Sequence, residues 1–470
     1  MVKFRVLHRD PDDYVPSARG EMAKHVSNPS PVLHPFERAR EYQRALIGTK
    51  MDRMFAKPLH AVLEGHTDAI LCVRRCRTRV SECFTVGADG DLRQWNLGNK
   101  TCVRAINAHE GFARSVCLTE DDQFAFTVGD DKKIKQWLIP ESLAPEDMTT
   151  EELDDRGHHV DLKATHVDDV LARSISPTAT YLSTDAVHTV DHHLTEPLLL
   201  SAGDSVQIWN TSRGAPVHKW TWGYSSFTAC RFNPAETSLL AAGTGDNAFV
   251  LYDLREASPL KKVVLNNKVN ALAWNPYNPL CLTVANEDSN LYTYDARRLD
   301  DPLHIHRDMT NAVTDIDFSP TGREFAASSF DCTVRIWKSN FTRSREIYHT
   351  KRMQYANSCQ FTSDSRFVLS ASSDFCLRIW KANASEKLGP KTLQEKQAIS
   401  YRRALSTKYK DLPEIRKIRN KRTAPVWVKN AKTSRDNKLE SVQRKEHNFT
   451  VATGTILKSQ KQRVTRRVDD

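Results

Sequence analysis

The chain is 470 residues long with a net charge of +10 and 39% hydrophobic residues, enough apolar content for a packed core but too much length for one small core. Every apolar run is shorter than ten residues, which excludes a bilayer-spanning helix, and the opening MVKFRVLHRDPDDYVPSARG reaches charge and proline too soon for a signal peptide. The ten cysteines form no CxxC pair and most stand in apolar, strand-like runs (Cys72, Cys117, Cys332, Cys376), so they are expected to be reduced, buried side chains of an intracellular protein.

In chain order, residues 1–54 read as an arm with several prolines. Its second half, HPFERAREYQRALIGTKMDRMF (34–55), predicts a helix from Pro35, because proline suits a first helical position. Tyr42, Leu46, Met51 and Met54 would form its apolar stripe, packed on the chain's own body or on a partner. The next segment, FAKPLHAVLEGH (55–66), is β-like.

From here to residue 382 one line recurs. An aromatic residue closes an alternating strand at Trp95, Trp137, Trp209, Tyr252, Tyr294, Trp337 and Trp380. The intervals are 42, 72, 43, 42, 43 and 43 residues, so one is long by about 30 and the rest agree. An Asp precedes the aromatic by six positions at Asp89, Asp131, Asp246, Asp288, Asp331 and Asp374; the third unit has Gly203 there, followed by Asp204. A period near 42 with short strands predicts an all-β propeller of seven blades. In DCTVRIW, Cys332, Val334 and Ile336 would share one face, and only a neighbouring blade can cover such a face. The Asp suits a tight turn between strands, where its carboxylate accepts backbone N–H groups. In the first two units a His stands 29 and 28 residues before the Trp, giving the sets His66, Thr85, Asp89, Trp95 and His109, Thr127, Asp131, Trp137.

The long interval places an insertion at about 140–189. Its first part, 140–169, holds ten Asp/Glu against two Lys/Arg and reads as a loose acidic loop. His158, His159 and His166 lie in it and His188, His192 and His193 follow, but without cysteine or HExxH they predict a solvated loop and a blade-edge strand rather than a metal site.

Residues 383–470 change character. From Lys381 onward there are 24 Lys/Arg against 9 Asp/Glu, while the preceding 380 residues hold 44 against 49. Such asymmetry points to a polyanionic partner, most often nucleic acid. Thr392 and Glu395 have capping-box spacing at the start of one helix, and a second is expected near Pro413. Arg416, Lys417, Arg419, Lys421 and Arg422 form one cationic cluster; Lys458, Lys461, Arg463, Arg466 and Arg467 form another. No stacking-aromatic RNA signature accompanies them, so they are candidate phosphate contacts, sequence-tolerant and steeply salt-dependent.

The His–Thr–Asp–Trp sets resemble WD40 repeats, and that resemblance implies a buried, structural hydrogen-bond chain in each set, with residues 55–63 completing the last blade as its outer strand. The phrases LHPFERAREYQRAL, FAKPLHAVLEGH, AHEGFARSVC, FTVGDDKKIKQW, ANEDSNLYTYDAR, FTRSREIYHTKRMQ and KANASEKLG together resemble the suppressor-of-fibrillarin family of WD40 proteins. The resemblance runs from the arm through the ring into the basic, mainly helical C-terminal extension. It implies a nucleolar, non-catalytic scaffold of the U3 small nucleolar ribonucleoprotein in the small-subunit processome, acting in maturation of 18S rRNA. The implied partners are processome proteins, U3 small nucleolar RNA and pre-rRNA, with no cofactor, membrane or small-molecule substrate. A second activity is implied by WD40 proteins that dock the adaptor of a cullin-4 ubiquitin ligase through an aromatic–Asp–x–Arg motif. YDLR (Asp253, Arg255) and YDAR (Asp295, Arg297) fit with Tyr as the aromatic, although Asp after the closing aromatic is common in ordinary blades. No phosphate-binding GxxxxGK[ST] loop, GxSxG elbow or zinc triad supports an enzyme.

Overall fold

A computed structural model describes residues 36–139, 176–221, 226–256 and 258–453. It contains seven four-stranded antiparallel sheets, the blades of a propeller. Their inner strands are Ile70–Arg75, Ala113–Leu118, Thr189–His192, Phe227–Phe232, Val269–Trp274, Val313–Phe318 and Ala356–Phe361. The alternation seen in the sequence does what a propeller needs. Residues of each blade pack on the next: Phe84, Val86 and Leu92 of blade 1 meet Val116 and Trp137 of blade 2, and Leu272, Val284 and Tyr294 of blade 5 meet Phe249 of blade 4. No blade has a core of its own.

Blades 1 to 6 each use four consecutive strands, whereas blade 7 takes its outer strand from Leu59–Glu64, paired antiparallel to Cys376–Lys381. Leu59 faces Trp380 and Leu63 faces Leu377 across a register shift between Leu59 and Ala61. Leu63 is buried beside Ile70, Trp95, Leu377 and Ile379, so this strand joins the last blade to the first.

Two local readings need correction. Cys332 does not share the strand face of Val334 and Ile336: it lies in the preceding turn with φ 54°, and the strand begins at Val334. The stretch read as an insertion includes Ala179–Leu182, which is the outer strand of blade 2, and Thr189, which starts the inner strand of blade 3. Residues 140–175, with His158, His159 and His166, lie outside the described residues. Gly203 stands where the other blades have Asp, as the sequence shows, and a Cβ there would lie 2.3 Å from the Ala186 carbonyl oxygen.

The chain divides into two compact units, residues 57–386 with 422–470, and residues 1–56 with 387–421. The basic extension is therefore not one body. In the smaller unit, α1 (Glu37–Met54) packs with α2 (Leu393–Lys408) and α3 (Pro413–Arg419). Ala45, Leu405 and Ile415 are its buried core, with Tyr42, Leu46 and Tyr409 against them. Thr392 and Glu395 form the capping box at the start of α2. Glu41 accepts from Lys408 Nζ (2.5 Å) and Tyr409 Oη (2.7 Å), and Tyr42 Oη donates to Glu414 (2.8 Å). Half of the α1 stripe is thus covered by the chain itself; Met51 and Met54 stay exposed. A fourth helix, α4 (Val426–Thr453), belongs to the propeller unit.

Candidate partner-binding surfaces

In blade 1, Trp95 Nε1 donates to Thr85 Oγ1 (2.8 Å), which lies 2.7 Å from His66 Nε2, and His66 Nδ1 lies 2.9 Å from Asp89. Blade 2 repeats the chain through Trp137, Thr127, His109 and Asp131 at 2.8, 2.9 and 2.9 Å. Because the Trp N–H takes the threonine lone pair, the hydroxyl proton points to Nε2 and the Nδ1 proton to the carboxylate. Burial lowers the His109 pKa despite the Asp131 carboxylate, which favours a neutral imidazole. Asp89 is pushed up by burial, but its hydrogen bond to His66, with the N–H groups of Asp91 and Thr67, holds it lower than usual. Each donor in this chain already has an acceptor, and the hydroxyl that would have to attack a substrate is wholly buried. The arrangement positions strands; it offers no free nucleophile.

Blade 3 anchors Trp209 on Ser201 (2.9 Å) and blade 7 anchors Trp380 on Ser370 (2.7 Å). Blade 6 departs. Ala327 pairs with Arg335 in the ladder position where Thr85 pairs with Arg93, and the buried Trp337 Nε1 has no hydrogen-bond partner among the described residues. An unpaired buried donor costs about 1–3 kcal/mol. Ala327→Ser should therefore raise the unfolding free energy by about 1 kcal/mol. A thermal melt reads this directly, and an equal or lower melting temperature would show that the hydroxyl does not reach Trp337.

The blade 6 substitution continues outward. Asp308 stands 29 residues before Trp337, the position His66 holds relative to Trp95. With Ala327 in the ladder position of Thr85, the carboxylate finds no hydroxyl there. Instead Arg335, 1% exposed, lies 3.0 Å from Asp331 and 3.6 Å from Asp308. Asp308 also accepts from Ser344 Oγ (2.5 Å), from Lys432 Nζ (2.9 Å) and from Arg422, whose guanidinium reaches Ser344 Oγ as well (3.0 Å). Burial alone would raise this carboxyl; Arg335, Lys432, Ser344 and Arg422 hold it at about 2. Arg435 of α4 adds hydrogen bonds to Ser289 and to the Met309 carbonyl (3.2 Å). Sequence reasoning missed this site, although the Asp at the His position and the Ala at the Thr position were both readable.

Among the turn carboxylates, Asp288 accepts from the Asn290 N–H (2.9 Å) and from Tyr292 Oη, and Asp331 from the Thr333 N–H (3.1 Å). Asp374 pairs with Arg378, whereas Asp246 is exposed with no side-chain bond among the described residues. Of the histidines that follow the acidic loop, two serve the backbone: His192 Nδ1 lies 2.6 Å from the His193 carbonyl, and His193 Nε2 lies 3.0 Å from that of Thr237.

The first cationic cluster divides. Arg416, Lys417 and Arg419 are exposed on α3, and Lys421 is exposed beyond it; none forms an ion pair among the described residues. Arg422 does not share their freedom, because Asp308 holds it. Lys458, Lys461, Arg463, Arg466 and Arg467 lie outside the described residues. On blades 4 and 5 the two YDxR motifs are built alike. Asp253 accepts the Arg255 N–H and Asp295 the Arg297 N–H, both at 3.0 Å, leaving the two arginine side chains exposed.

Comparison with known proteins agrees with this architecture. The Sof1-like domain matches residues 382–468, and the WD domain, G-beta repeat, matches residues 100–137, 301–338 and 347–381. DDB1- and CUL4-associated factor 13 of Danio rerio is 41% identical, covering 95% of this chain and 94% of that protein. The human protein of the same name is 40% identical at the same coverage, and Protein SOF1 of Saccharomyces cerevisiae is 34% identical over 95% of this chain and 91% of its own length. The crystal structure of the WD40 β-propeller domain of Doa1 superposes with a TM-score of 0.55 at 18% identity, covering 69% of this chain and 96% of that one, which bears on the fold alone.

Proposed function

The chain belongs to the Sof1-like family of WD40 proteins, and from that premise we propose that it is a non-catalytic scaffold of the U3 small nucleolar ribonucleoprotein. It acts in the nucleolus, within the small-subunit processome, during maturation of 18S rRNA. The observation that supports an RNA-bound scaffold is the exposed cluster of Arg416, Lys417, Arg419 and Lys421, which no carboxylate neutralises among the described residues. Cations held on a short helix with no stacking aromatic beside them suit phosphate contact rather than base reading. Reversing all four to Glu should reduce the U3 small nucleolar RNA and pre-rRNA recovered with the tagged full-length protein. In purified form the wild type should lose RNA affinity with salt about one logarithmic unit per contact more steeply than the variant. Equal RNA recovery and equal salt slopes would remove this cluster from RNA binding.

A second activity, docking to a cullin-4 ligase adaptor, rests on the paired motifs of blades 4 and 5 and on the name of the vertebrate relatives. Arg255 and Arg297 are exposed and equivalently placed. The Arg255→Ala, Arg297→Ala double variant should lose adaptor pull-down while its melting curve and RNA recovery stay unchanged. Undiminished pull-down would remove these motifs as the docking surface.

A further inference from the structure

The inner strands end on one mouth of the central channel, and all seven contribute to it. The cavity there holds about 360 Å³, near the small end of ligand-sized cavities, roughly 300–1,000 Å³. Four arginines line it: Arg74, Arg75 and Arg77 from blade 1 and Arg231 from blade 4. They face two lining carboxylates, Asp191 and Asp317.

Those carboxylates are occupied by the fold. Asp191 accepts the Phe232 N–H of the next inner strand (2.9 Å), and Asp317 accepts the Phe361 N–H (2.9 Å). Asp315, deeper in the same channel, does likewise with Ser358 Oγ (2.6 Å) and the Cys359 N–H (3.2 Å). Their role is to tie neighbouring blades together. The arginines are less fully used. Among the described residues Arg74 hydrogen-bonds through its Nε alone, to the Val116 carbonyl (3.1 Å), while Asp191, Asp315 and Asp317 act on its charge from further away. Arg231 approaches Asp191 only to 3.7 Å. Arg75 is pinned by the Phe361 carbonyl (2.9 Å) and by Asp317 (3.4 Å). Arg77 is exposed and has no hydrogen bond or ion pair among the described residues. Burial keeps the nearby His192 at about 4 and therefore uncharged at neutral pH, so the arginines set the sign of the mouth.

Four guanidinium groups against Asp191, Asp317 and the deeper Asp315 leave one positive charge in excess, and Arg77 carries it unpaired among the described residues, a donor fork that suits the oxygens of a phosphate or carboxylate. Phe232, Trp274 and Phe318 supply apolar wall on which a peptide backbone can rest. A cavity bounded on its sides by strands from all seven blades admits a side chain, not a continuous nucleic-acid strand. We propose that this mouth binds a peptide segment of a partner protein through an anionic side chain, with phosphoserine as the preferred form. This site is separate from the RNA contacts above and does not depend on them.

The test uses the full-length protein and fluorescein-labelled peptides Gly-Gly-X-Gly-Gly with phosphoserine, aspartate or serine at X, read by polarisation. Phosphoserine should bind most tightly, aspartate more weakly and serine not measurably. Arg77→Ala should weaken the phosphoserine peptide about tenfold at an unchanged melting temperature, whereas Arg416→Ala, which removes the same charge elsewhere, should leave it unaltered. Equal affinity of wild type and Arg77→Ala, or no preference for phosphoserine over serine, would overturn the proposal. So would a labelled oligouridine that competes with the peptide and shows the same Arg77 dependence, because the mouth would then be a nucleic-acid site.

Discussion

Asp308→Ala is expected to cost about 3–5 kcal/mol of propeller stability, the usual range when one partner of a buried ion pair is removed. Asp308 and Arg335 side chains are 4% and 1% exposed, so the arginine would keep its charge in the interior with Asp331 as its remaining carboxylate. The same substitution removes the acceptor of Arg422 and Lys432, which hold the segment leading into α4 on the propeller. Two readouts should therefore move together. The melting temperature should fall by several degrees, and trypsin should cut earlier at Arg422, Lys432 and Arg435. A fall in melting temperature with unchanged cleavage would mean that α4 is held by the Arg435 hydrogen bonds rather than by the ion pairs. An unchanged melt would exclude the buried pair as a stabilising element. The sign of the pH effect follows from the folded-state value of about 2 against the ordinary 3.8. The contribution is complete above 3.8 and is lost as pH falls through 2, so near neutral pH no proton releases this contact.

Leu63→Asp is expected to open the ring. Leu63 is 2% exposed and packs where the last blade meets the first, against Ile70, Trp95, Leu377 and Ile379. Replacing it removes a buried apolar side chain and inserts a charge with no counter-ion, a loss of about 4 kcal/mol or more. The consequence exceeds the local contact. Without Leu59–Glu64 the strand Cys376–Lys381 becomes a free edge, and apolar residues on both sides of the closure meet water. The variant should melt at a markedly lower temperature and aggregate in size-exclusion chromatography. Adding a synthetic peptide of residues 55–66 to a chain that lacks them should restore part of the loss. A cooperative melt at the wild-type temperature would show that the ring does not depend on its clasp.

Much of this architecture was legible because it rests on short-range repetition. A strand shows its buried face every second residue, and a blade cannot stand without a neighbour, so the sequence must repeat both patterns. Trp95, Trp137 and the other closing aromatics therefore marked the third strand of every blade. The His–Thr–Asp–Trp sets were equally visible, since their spacing is fixed by the ladders that bring them to 2.7–2.9 Å. Errors occurred where that repetition breaks. The turn at Cys332 has a positive φ, which interrupts the backbone alternation although the apolar spacing of the sequence runs on through it. The acidic stretch hid the outer strand of blade 2, because Ala179–Leu182 is recognisable only by its pairing with Lys133–Leu138.

Composition established that the last 90 residues are cationic, and local pattern established their first helices. Only the tertiary structure decided what those cations face. Arg422 and Lys432 meet an aspartate 114 and 124 residues earlier in the chain, while Arg416 and Lys417 are exposed on α3 of the smaller unit. The four arginines at the channel mouth converge from two blades in the same way. Periodicity records which side of a strand or helix is buried, because that is decided between residues a few positions apart. Which charge meets which is decided by chain segments that become neighbours only when the ring closes, and no local spacing encodes it.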